Sequence, residues 1–92
     1  MIVRISGEGQ YRLDDADGTR LQELEDAVVH AVSAGDEAAY SAAYTVLLDF
    51  VRERGSELGE DELEPSQVIL PPADTSFAEA SLEFTGEGLI PD

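Results

Sequence analysis

The chain has 92 residues, 42% of them hydrophobic, with 21 acidic side chains against five basic ones, all arginine, for a net charge of −16 and no cysteine. A chain this short buries only about 60–65% of its unfolded surface and cannot divide that between two cores, so one small domain is expected. The charge works against nucleic acid and anionic lipid as partners, both of which want clustered cations, and the missing thiols remove disulfide and thiolate chemistry.

The acidity is uneven. Residues 1–20 carry a net charge of −1, residues 21–54 carry −5 and residues 55–92 carry −10, with no base in that last part. Two accounts fit: a proteome-wide habit of a GC-rich or salt-loving cell, or an acidic face for a basic partner. No apolar run reaches the about 18 residues of a membrane span, and no basic segment leads into an apolar one at the N-terminus, so the chain reads as cytoplasmic and not directly inserted in a membrane.

In chain order, residues 2–13 predict a β-hairpin. Ile2-Val3-Arg4-Ile5 and Gln10-Tyr11-Arg12-Leu13 are short runs with partial alternation on either side of Ser6-Gly7-Glu8-Gly9. The pairing puts Val3, Ile5, Tyr11 and Leu13 on one face and Arg4 and Arg12 on the other, where Glu8, Asp14 or the acidic tail can offset the like charges. The Gly-Glu-Gly turn is not a phosphate loop. Arg12 stands where a third glycine belongs, a strand follows instead of a helix, and Glu8 places a carboxylate in the anion site.

Asp14 to Thr19 is a cluster of capping residues ahead of a helix over about 16–34, whose apolar face is Leu21, Leu24, Val28, Ala31 and Val32. Gly35 ends that helix and Asp36 caps a second, about 36–54, with Tyr40, Ala43, Tyr44, Leu47, Leu48, Phe50 and Val51 as its apolar stripe. So short a link forces an antiparallel helical hairpin. Residues 55–66 form an acidic connector, 67–70 a third strand closed by Pro71-Pro72, and about 75–84 a short helix in which Ser76 and Glu79 make a capping box. The fold class is α+β, one domain over residues 1–92.

Few residues carry chemistry. Asp14, Asp15 and Asp17 resemble part of a calcium loop, but setting Gly18 at its sixth position puts Leu13 and Leu24 at the first and twelfth, where carboxylates are required. They remain weak candidates for a surface cation, and a small cation- or ligand-sensing domain is the alternative function. His30, the single histidine, sits four residues after Asp26 on the polar side of the first helix, an ordinary surface pairing. Without a second histidine or a cysteine, and with no serine in a strand-turn-helix context, no metal centre or nucleophilic triad assembles; no catalytic residue and no cofactor is expected. Tyr40 and Tyr44, one turn apart, read as core residues with hydroxyls at the domain edge, or as aromatics of an exposed groove for a partner helix. With Glu60, Asp61, Glu62 and Glu64 of the connector they are the candidates for partner binding.

The opening Met1-Ile2-Val3-Arg4-Ile5-Ser6-Gly7-Glu8-Gly9-Gln10-Tyr11-Arg12-Leu13 resembles that of the PspA-associated protein family PspAA, small proteins of actinobacteria and archaea. The resemblance continues through Ala34-Gly35-Asp36, Glu62-Leu63-Glu64-Pro65-Ser66, Leu70-Pro71-Pro72-Ala73-Asp74 and Gly88-Leu89-Ile90-Pro91; residues 77–85 are less typical. It implies a non-enzymatic regulatory or adaptor role beside PspA in the phage-shock response to cell-envelope stress, with recruitment to the membrane through that partner. A long, charged coiled-coil partner suits an acidic surface, whose field speeds association and sets orientation. Self-association through an exposed hairpin edge is a further reading.

Overall fold

The computed structural model describes residues 1–59 and 64–84. Strands β1 (Ile2–Ile5) and β2 (Gly9–Arg12) are followed by a single 3-10 turn at Asp15–Asp17. Helices α1 (Gly18–Ser33) and α2 (Glu37–Arg54), strands β3 (Ser56–Glu57) and β4 (Val68–Leu70), and helix α3 (Phe77–Glu83) complete the order. The architecture is α+β, one four-stranded sheet packed on the helical hairpin, and the expected elements are present in the expected order.

The sheet runs β3-β2-β1-β4. β1 and β2 pair antiparallel with Val3 opposite Tyr11 and Ile5 opposite Gly9. The Glu8 amide donates to the Ile5 carbonyl at 2.9 Å and Gly7 takes φ +84°, so the Gly-Glu-Gly segment is the reversal of a hairpin. Leu13 and Met1 exchange backbone bonds beyond the strand ends. β4 joins the other edge of β1 in parallel, Val3 opposite Val68 and Ile5 opposite Leu70. Alternation then sends Val3, Ile5, Leu13, Val68 and Leu70 to the helices, all at most 2% exposed.

The connector needs correction at its start. Ser56 and Glu57 are an edge strand, antiparallel to β2 with Tyr11 opposite Glu57. Both side chains are exposed, so nothing in the hydrophobic pattern marks the pair; the backbone bonds of β2 make the strand. Gly55 turns the chain from α2 into it. A Cβ there would lie 2.9 Å from the Tyr11 Cβ and 2.6 Å from the Val51 carbonyl oxygen, so only glycine passes without displacing its neighbours.

The helix ends follow the sequence closely at the link. The Gly35 amide bonds the Val32 carbonyl and the Asp36 amide the Ala31 carbonyl, with Gly35 at φ +70°, the paired closure that lets the chain leave a helix without orphaned carbonyls. Asp36 Oδ1 accepts from the Ala39 amide at 3.0 Å and starts α2. Ser76 Oγ accepts from the Glu79 amide and donates to the Glu79 carboxylate. At the first helix the capping expectation is corrected: neither Asp14 nor Asp17 makes a side-chain cap, and Asp17 instead pairs with Arg54 across the domain at 3.1 Å.

The core fills the space between sheet and hairpin with Leu21, Leu24 and Val28 of α1 and Leu47, Leu48 and Val51 of α2, closed at one end by Phe84 and Ala80. Each fully buried aliphatic side chain contributes about 1.5–3 kcal/mol of transfer free energy, so this cluster supplies the main driving force for the fold. No described helix is long and apolar enough to cross a membrane.

Candidate functional site

Tyr40 and Tyr44 lie one turn apart on the inner face of α2, 4% and 3% exposed. Their rings stack on each other at 5.7 Å, Phe77 meets Tyr40 edge-on at 5.7 Å, and Phe84 meets Tyr44 at 5.5 Å. The Tyr44 hydroxyl donates to the Pro71 carbonyl, and that of Tyr40 reaches the Thr75 carbonyl at 3.4 Å. Burial pushes the Tyr44 phenol well up, so it stays a neutral donor. The exposed-groove reading of these aromatics is thereby corrected: they hold α3 and the Pro71 bend to α2, and their rings are enclosed.

The carboxylates divide. Glu64 is exposed and pairs with Arg12, while its backbone carbonyl accepts from the Gln10 amide nitrogen, which also donates to Ser66 Oγ at 2.8 Å. Gln67 closes the same segment, accepting from the Ile2 amide through Oε1 and donating its own amide to the Ile2 carbonyl. The end of the acidic connector is thus laid across the outer face of the sheet and covers Ile2 and Gln10, which are 5% and 4% exposed. Glu60, Asp61 and Glu62 lie outside the described residues. Of the three candidate cation ligands, Asp14 is exposed, Asp15 is 3.7 Å from the N-terminal ammonium and Asp17 is paired with Arg54. Among the described residues no three acidic or histidine side chains gather as a metal would require.

Glu8 takes a role the sequence left open. It does not neutralise the strand arginines; it pairs with Arg52 on α2, which also reaches Asp49 at 3.2 Å. The Arg52 guanidinium holds the Glu8 carboxyl below its ordinary value, and Glu8 in turn raises Arg52. This bond ties the hairpin turn to the helical layer.

A concavity lies on the other side of the helices. A cleft of about 510 Å³ runs along the outside of the α1–α2 hairpin, lined by Ala27, His30, Ala31, Ala34, Asp36, Ala39, Ala42, Ala43 and Val46. His30, expected as a partner of Asp26, faces this cleft, and no Asp26–His30 ion pair forms among the described residues. The signal was in the sequence, in alanines at four- and three-residue steps on both helices, but a reading that seeks large apolar residues assigns only the inner faces.

A small α+β domain results in which several polar groups tie the layers together and a cleft on the outer side of the helices is lined mainly by apolar side chains. The family model of PspAA, the PspA-associated protein, matches residues 1–92, and the chain belongs to that family. No curated protein and no solved structure matches it.

Proposed function

We propose that this chain is a non-enzymatic regulatory or adaptor module that binds PspA in the envelope stress response, through its acidic surface together with the helical hairpin. Family membership across the whole chain carries this reading, since it implies association with PspA. The net charge of −16 supports the electrostatic part: an acidic module meets a charged helical partner faster and in a preferred orientation. A cytoplasmic chain of this kind would reach the membrane only through its partner.

Calorimetry with the cognate PspA tests the proposal. Binding at low salt that weakens as salt rises toward about 0.5 M supports it, because screening shortens the reach of surface charge to a few ångströms. No binding at either low or moderate salt sinks it, and binding indifferent to salt removes the acidic surface from the account.

A further inference from the structure

We infer that the cleft on the outside of the α1–α2 hairpin receives one helix of a partner, an amphipathic helix with a stripe of small and medium apolar side chains flanked by lysine or arginine. The inference rests on the association proposed above and names the surface and the chemistry it selects.

The shape selects a helix. Two antiparallel helices leave a continuous groove between them, and a third helix laid in it completes a three-helix layer by ridge-into-groove packing. Alanine at Ala27, Ala34, Ala39 and Ala42 keeps the groove floor low, so the occupant's backbone can approach closely and bring its own larger side chains to fill the cleft. Val46 stands 50% exposed on one wall, an aliphatic surface that the other described residues leave half open. An extended strand would find no free backbone donors on two helices, and so no ladder to join.

Charge then selects the flanks. Asp36 lines the loop end of the cleft. At the other end Glu23, one turn before Ala27, and Glu53, seven residues after Val46, fall by helical period on the same sides, and both are exposed. Arg20 lies a further turn out on α1, and Arg54 is already held by Asp17. The apolar floor is therefore bounded at both ends by carboxylates, on a molecule with net charge −16 and no lysine. A second copy of this chain would bring the same charge to the same groove and be repelled, so a basic helix is the complementary occupant.

The test uses the 92-residue chain with two probes in parallel: the cognate PspA, and a synthetic 18-residue peptide with a leucine and alanine face and lysine flanks. Amide chemical-shift mapping with both should move Ala27, Ala39, Ala42 and Val46 and leave α3 still. Ala42→Arg and Val46→Arg change solvent-facing helix positions and should keep the thermal midpoint, yet weaken each interaction about tenfold or more. Leu82→Arg, at an 82% exposed position on α3, should leave both unchanged.

PspA binding that maps elsewhere and ignores both cleft variants overturns the inference while leaving the adaptor reading standing. Peptide binding in the cleft without PspA binding does the reverse. Peptide binding nowhere, or a concentration-dependent dimer that Val46→Arg dissolves, overturns the inference directly.

Discussion

The two faces of the α1–α2 hairpin differ in what fills them. Inward, Leu21, Val28, Leu47 and Val51 are wholly buried, and the stacked tyrosines bring α3 and the Pro71 bend against the helices. Outward, the same two helices present alanines and a half-exposed valine around an open cleft. The difference teaches that helix pairing alone does not define this domain: one face carries the energy of folding, and the other is left with the low relief that a further helix can use.

Substitutions that separate the faces sharpen this contrast. Leu47→Ala, on the inner face, removes buried atoms and leaves a cavity; a loss of about 2–5 kcal/mol is expected in urea unfolding, a large part of the total for a domain of this size. Tyr44→Phe keeps the ring packing but strands the buried Pro71 carbonyl, and about 1–2 kcal/mol should be lost by the same measurement. A Tyr44→Phe protein as stable as the parent would mean that the ring alone fixes the bend.

Glu8→Gln is a smaller effect with a defined pH signature. Because Arg52 lowers the folded-state value of Glu8 beneath the ordinary 4.5, the pair's contribution is fully present above that pH and fades as pH falls through the lowered value. Both side chains are about one-third exposed, so the contribution is under about 1 kcal/mol and shrinks with salt. Acid titrations of stability for parent and variant should differ above pH 4.5 and converge below it; parallel curves would remove Arg52 as the cause. Val46→Arg, on the outer face, should change stability by no more than about 0.5 kcal/mol. A loss as large as that of Leu47→Ala would show that the outer face also carries the fold.

Much of this architecture is legible in the sequence where local chemistry fixes it. The Gly35-Asp36 pair specifies one helix end and the next helix start by itself, and the alternation of β1 and β2 sets which side chains face inward. Ser76 and Glu79 likewise announce their helix. Contacts that depend on distant backbone are silent. β3 exists because Arg12 and Tyr11 offer an open edge to residues more than forty positions away, and Ser56 and Glu57 have no composition to advertise it. The bonds of Gln10 to Glu64 and Ser66 join chemically unremarkable residues across the sheet. The candidate site divides in the same way: the core reading of the tyrosines is open to the sequence and their burial agrees with it, whereas the cleft is made largely of alanines, which carry little hydrophobic mass to announce it.

β4 reaches the free edge of β1 in parallel, with Gln67 bonded to Ile2 across a separation of 65 residues. That arrangement sets a non-local closure beside two local ones. The hairpin and the helix pair close over short loops and can form early, whereas the edge of β1 waits for a segment near the end of the folding path, at the loop-closure cost that slows non-local pairing. Until then Ile2, Val3 and Ile5 border an unpaired edge, which is a template for another strand. Changes that weaken the docking of 66–70 are therefore expected to lower stability chiefly by speeding unfolding, and to promote clumping by leaving that edge open more often.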